Sequence, residues 1–160
     1  MTEEFLKSGL IPKLCRKLVN VGVSSYNLIQ GCSNEEIEYL ENYTTHPLPE
    51  TYKQFLIHMG HGAGKFFEGT DIFYKTIFEN RIAANELLEE DQSNFKLAET
   101  DFVFASHQGY QFMYFSLCEN ADPSVYYYIE GAKLPHKKWE RFSEFLIQSV
   151  EDYVNLIAES

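Results

Sequence analysis

The sequence predicts an α+β fold, with a mixed, largely antiparallel central sheet flanked by N-terminal, middle and C-terminal helices. Three observations carry that expectation. Apolar residues recur at three- and four-residue spacing at both ends of the chain, as amphipathic helices require. Three runs rich in aromatic and β-branched residues, 102–106, 110–117 and 125–129, follow one another with turn residues between them, which is the pattern of an antiparallel meander. A capping box and a Leu-Pro step mark two more helix starts before the meander. Helices that bracket a block of consecutive strands segregate into α+β rather than alternating α/β layers.

The first helix is read from Leu6, Leu10, Leu14 and Leu18, with Pro12 as the possible start of a second short helix. Its Lys7, Lys13, Arg16 and Lys17 make this segment locally basic. Ser33-Asn34-Glu35-Glu36 has the form in which the Ser33 hydroxyl accepts from the third-residue amide and Glu36 reaches back to the Ser33 amide. Ile37, Leu40 and Tyr43 supply that helix with an apolar stripe. Leu48-Pro49 opens the next helix, with Pro49 at its first position, Tyr52, Phe55, Leu56 and Met59 at core spacing, and Gly60 as its stop. Short strands are expected between Gly60 and Tyr74, and a helix over 76–91. That helix ends in Glu86, Glu89, Glu90 and Asp91, although acid near a helix C-terminus costs a few tenths of a kcal/mol against the dipole. Something other than helix stability therefore retains those charges. A last helix begins near Ser143, whose hydroxyl can cap it, and runs through Phe145, Leu146, Val150 and Tyr153.

The 160 residues, with no internal repeat or linker-like tract, are read as one domain over 1–160. They hold 24 acidic and 13 basic side chains, a formal net charge of −11. Such a surface repels phosphates and has no basic stripe to release counterions, so nucleic acid is excluded as a direct partner and a basic protein is the complementary expectation. Apolar stretches are only a few residues long, against the roughly 20 that span a bilayer. The start of the chain carries Glu3, Glu4 and Pro12 in place of a signal-peptide apolar run. A cytoplasmic protein without a membrane partner is expected. Cys15, Cys32 and Cys118 are far apart and odd in number, which suits a reducing compartment and buried thiols.

Catalytic motifs are weak. Gly60 to Phe66 is one residue short of a phosphate loop and has Phe66 where a Mg²⁺-binding hydroxyl would stand. His58 and His61 have no cysteine or third histidine nearby at ligand spacing. Ser106 lies in no G-x-S-x-G elbow, and neighbouring residues of a strand point to opposite faces, which separates it from His107. No catalytic residue, cofactor or metal is expected. The aromatic residues hold more information: 13 Phe, 11 Tyr and 1 Trp, dense between 102 and 128. Tyr110, Phe112, Tyr114, Tyr126 and Tyr128 either line a concave binding surface or form core beneath helices on both faces of the sheet.

The order of segments adds a resemblance. Ser33-Asn34-Glu35-Glu36-Ile37 followed by Leu48-Pro49-Glu50-Thr51-Tyr52-Lys53-Gln54-Phe55-Leu56 resembles the SUKH (Smi/Knr-type) superfamily. So do Gly62-Ala63-Gly64-Lys65-Phe66-Phe67, the segment from Phe102 to Phe112, Asp122-Pro123-Ser124-Val125-Tyr126 and Phe142-Ser143-Glu144-Phe145-Leu146. The likeness covers about residues 30–150. It implies a mixed sheet flanked by helices and no enzymatic activity. Bacterial members are typically immunity proteins that neutralise a cognate secreted toxin, often a nuclease or deaminase, and other members are intracellular adaptors or scaffolds binding a regulatory partner. The resemblance carries no catalytic set to transfer. The expectation is a cytoplasmic immunity protein that covers the active site of a basic toxin domain, using Glu86, Glu89, Glu90 and Asp91 with His107, Tyr110, Glu119 and Asp122 near hairpin turns.

Overall fold

Side-chain alternation along the meander decides the architecture. The computed structural model describes residues 9–159, so Glu3, Glu4, Leu6 and Lys7 of the expected first helix lie outside the described residues. Strands β4 (Asp101–His107), β5 (Gln111–Ser116) and β6 (Val125–Ile129) pair antiparallel, as their turn-separated aromatic runs predict. Two additions extend the sheet: β3 (Thr70–Asp71) pairs with the end of β4, and β7 (His136–Trp139) pairs with β6. The order is β3-β4-β5-β6-β7, and every pairing is antiparallel among the described residues. A second, two-stranded sheet joins β1 (Ile29–Gln30) to β2 (Gly62–Ala63).

Successive strand side chains point to opposite faces. Phe102, Phe104, Phe115 and Val125 turn to one face, where they meet α1 (Leu10–Asn20), α2 (Asn34–Thr44), α3 (Glu50–Met59) and α5 (Phe142–Glu159) in the main core. Val103, Phe112, Tyr114 and Tyr128 turn to the other, where Ala84, Leu87 and Leu88 of α4 (Tyr74–Glu90) cover them. This resolves the two readings of the meander's aromatics. Phe112, Tyr114 and Tyr128 are buried core under α4, and the half-buried Tyr126 stacks on Tyr114 at 5.3 Å.

The helix ends follow local chemistry. Pro12 starts no second helix; it stands in the first turn of α1, where amides lack an intrahelical partner and proline is tolerated. The Ser33 capping box is complete, with Glu36 N–H donating to Ser33 Oγ at 3.2 Å and Ser33 N–H to Glu36 Oε1 at 2.9 Å. Pro49 is the N-cap of α3, one position earlier than its expected place. Ser143 does not cap α5 with its own hydroxyl. Helix α5 begins one residue earlier, and Asp122 accepts the Ser143 N–H at 2.9 Å and its hydroxyl at 2.5 Å. Among the thiols, Cys15 and Cys32 are buried as expected, whereas Cys118 is exposed, contrary to the expectation for it.

Candidate functional site

The expected contact residues divide into three places. Glu86, Glu89 and Glu90 are exposed on the last turns of α4. Asp91 follows them but is engaged in the fold. Its carboxylate accepts the Tyr128 hydroxyl at 2.5 Å and the Gly131 N–H at 2.8 Å, and its carbonyl oxygen accepts from Lys133 Nζ. His107 and Tyr110 frame the β4–β5 turn, their rings 5.4 Å apart, with His107 Nδ1 2.9 Å from Thr70 Oγ1. Glu130 N–H donates to the Tyr110 carbonyl, so this turn shares an end of the sheet with the Asp91 tie. Glu119 and Asp122 stand at the opposite end, between β5 and β6. Glu119 accepts from the Ser124 hydroxyl at 3.0 Å, and Asp122 is only 4% exposed. Packing therefore brings Asp91 to the Tyr110 turn and leaves Asp122 inside the protein as the partner of Ser143.

Sequence reasoning missed a pair of exposed tyrosines. Tyr39 and Tyr43, four apart on α2, are each 61% exposed, and Ile82 on α4 is equally exposed. Tyr43 thus leaves the apolar stripe of Ile37 and Leu40, both of which are buried. Phe78 lies between the two helices, with ring centroids 5.7 Å from Tyr39, 5.1 Å from Tyr43 and 5.4 Å from Tyr74, all edge-to-face. Residues four apart on a helix share a face, so Tyr74, Phe78 and Ile82 form one row along α4. A groove of about 270 Å³ opens beside them, with Tyr43, Phe78, Arg81 and Val103 in its walls. Acid borders this face: Glu35 and Glu38 on α2, and Glu79, Glu86 and Glu89 on α4, are exposed. Arg81 is turned inward onto the carbonyl oxygens of Asp101 at 2.6 Å and Ala98 at 3.0 Å. The signal that was available is the pair of tyrosines offset from Ile37 and Leu40, which already form a sufficient inward stripe.

A second cluster lies where the loop before α2 meets the end of α3. Cys32, Glu36 and His61 place one ligand atom each within 4.8 Å of one another. His61 Nε2 is 2.7 Å from Glu36 Oε2, and the Tyr74 hydroxyl donates to the Glu36 carbonyl at 3.2 Å. The Ser33 N–H first, and then the His61 ring, hold the Glu36 carboxyl below its usual range. Burial, aided by Glu36, pushes the Cys32 thiol up to about 12. An activated cysteine has the opposite shift, toward the thiolate.

No helix among the described residues is long and apolar enough to cross a membrane. Among curated proteins none matches the chain. The family model SUKH_6, described as SMI1-KNR4 cell-wall, matches residues 34–146, from the first residue of α2 into α5. A match over more than half of the chain, on the fold class that its segment order predicts, makes this protein a member of the SUKH (SMI1-KNR4 cell-wall) family.

Proposed function

We propose that the chain is a cytoplasmic, non-enzymatic immunity protein that binds a cognate secreted bacterial toxin domain and neutralises it by covering the active site. The toxin is a basic protein of nuclease or deaminase type. The observation that carries this reading is the open aromatic face of α2 and α4, with Tyr39, Tyr43 and Ile82 each 61% exposed, continuous with exposed Glu86 and Glu89. Tyrosine supplies contact area at low entropic cost, and surrounding acid steers a basic partner onto it. Membership of the SUKH family supports a protein partner. The contacts proposed are Tyr39, Tyr43, Ile82, Glu86, Glu89 and Glu90, with His107, Tyr110 and Glu119 as outlying ones. Asp91 and Asp122 act through the fold, by tying α4 to the sheet and by holding the start of α5.

The test is co-expression with the C-terminal domain of a large secreted protein encoded in the adjacent reading frame. The wild-type chain restores growth and co-purifies with that domain. A variant carrying Tyr39→Ala, Tyr43→Ala, Glu86→Lys, Glu89→Lys and Glu90→Lys does neither while keeping its far-ultraviolet circular dichroism. Full rescue by that folded variant overturns the reading. A second reading, an intracellular adaptor binding a regulatory protein of its own cell, rests on the same family membership. It uses the same face, and it is favoured if no toxin reading frame adjoins the gene and the chain instead captures an endogenous regulatory protein.

A further inference from the structure

The Cys32, Glu36 and His61 side chains come from three different places: the loop after β1, the first turn of α2 and the residue after Gly60. Each is held by its backbone. Cys32 N–H donates to the Leu56 carbonyl at 2.8 Å and His61 N–H to the Gln30 carbonyl at 2.8 Å, so both strands of the approach are pinned to each other and to α3. Glu36 is fixed by the capping box. One carboxylate oxygen, Oε1, accepts the Ser33 N–H at 2.9 Å, which leaves Oε2 directed at His61. The Tyr74 ring packs edge-on against the His61 ring at 5.4 Å. Two glycines make the approach possible by their lack of a side chain. A Cβ on Gly60 would lie 2.3 Å from Cys32 Sγ, and one on Gly31 would lie 1.7 Å from the Ile57 carbonyl oxygen.

We propose that Cys32 Sγ, Glu36 Oε2 and a ring nitrogen of His61 form a binding site for one Zn²⁺ ion. A sulfur, a nitrogen and a carboxylate oxygen are the donors Zn²⁺ takes, and three protein ligands leave its fourth tetrahedral position for water. Zn²⁺ takes the place of the thiol proton, which leaves to solvent, and of the Glu36 to His61 hydrogen bond. The thiolate and the carboxylate then balance its charge. Calcium and magnesium are excluded by the sulfur and nitrogen donors, since both require oxygen. Access is open, because the His61 and Glu36 side chains are 32% and 33% exposed while Cys32 is buried behind them. The Ser33 amide on Oε1 orients the carboxylate from outside the coordination sphere, as metal sites commonly require. Glu36 and His61 lie within the residues that the family model matches, 34–146, and Cys32 lies two residues before them.

The experiment uses the full chain stripped with a chelator, in a Cys118→Ser background that removes the exposed thiol. Zn²⁺ is titrated in competition with a chromogenic chelator, and Co²⁺ is titrated as a spectroscopic stand-in. One Zn²⁺ binds per chain, and Co²⁺ gives strong visible bands of a tetrahedral site with a thiolate charge-transfer band in the near ultraviolet. Cys32→Ser removes the charge-transfer band. Glu36→Gln and His61→Ala each weaken Zn²⁺ binding by about 100-fold or more, at least the loss typical of an outer-sphere partner. Glu36→Gln keeps the capping box, because glutamine serves at that position, so its metal-free melting temperature stays near that of the parent chain. Failure to bind Zn²⁺, pale octahedral Co²⁺ spectra without charge transfer, or binding unchanged in Glu36→Gln and His61→Ala overturns the proposal.

Discussion

Tyr52 is the residue on which the core converges. Its ring is fully buried and lies 5.2 to 6.5 Å from those of Phe55, Phe102, Phe104, Phe115 and Phe142, drawn from α3, two strands and α5. Its hydroxyl is enclosed and makes no hydrogen bond among the described residues. An enclosed hydroxyl without a partner costs roughly 1–3 kcal/mol, and phenylalanine keeps the ring contacts without it. Tyr52→Phe therefore raises the unfolding free energy by about 1 kcal/mol, seen as a higher urea midpoint with the slope unchanged. A lower midpoint would show that the hydroxyl has found a partner. The buried position of Tyr52 is legible in its helical spacing with Phe55, Leu56 and Met59. Its stranded hydroxyl is not, because that depends on rings arriving from segments up to ninety residues away.

At the scale of elements, Asp91 explains part of the acid at the end of α4. The tie to Tyr128, Gly131 and Lys133 locks this helix terminus to the turn between β6 and β7. The Tyr128 hydroxyl first, then the Gly131 amide, hold the Asp91 carboxyl below its usual range. A carboxyl depressed in the folded state contributes stability that is fully present above its unfolded value, about 4, and is lost as pH falls through the folded value. Tyr128 is pushed up to about 12, by burial first and by Asp91 second. Its deprotonation is thus resisted by folding, and its contribution is present below about pH 10 and lost as pH rises through the raised value. The stability difference between wild type and Asp91→Asn is accordingly largest between about pH 5 and pH 9 and shrinks below pH 4. Urea titrations at pH 3, 5, 7 and 9 measure it, and a difference as large at pH 3 as at pH 7 refutes the tie. Short-range chemistry made the capping box, the three meander strands and most helix positions readable in advance. Strands β1, β2 and β3 have only two residues each, too few to show a period. Strand β7 reads His-Lys-Lys-Trp, whose charge is what an exposed edge strand carries and whose four residues show no alternation of apolar and polar side chains. The Cys32 cluster escaped for a related reason: its ligands are spread over three segments, and only the pairing of β1 with β2 and the turn of α2 bring them together.

For the whole molecule, helices pack on both faces of the sheet and take Phe102, Phe104, Phe112, Tyr114, Phe115 and Tyr128 into two cores. An open aromatic surface lies where α2 and α4 adjoin, on a chain of net charge −11. Charge and contact should then act on different steps of association. Exposed carboxylates steer encounter over a Debye length, whereas tyrosines seated in a desolvated contact set how long the complex lasts. Reversing Glu86, Glu89 and Glu90 to lysine lowers the association rate constant for the proposed toxin domain by roughly tenfold or more at low salt. That loss largely disappears near 1 M salt, where the Debye length is about 3 Å. Tyr39→Ala with Tyr43→Ala instead leaves association nearly unchanged and raises the dissociation rate constant by about tenfold or more, equivalent to roughly 1.4 kcal/mol. Surface-resonance kinetics at two salt concentrations separate these effects. Dissociation unchanged in the tyrosine variant would move the contact off the face formed by α2 and α4, while association unchanged in the lysine variant would leave the acid of α4 no steering role.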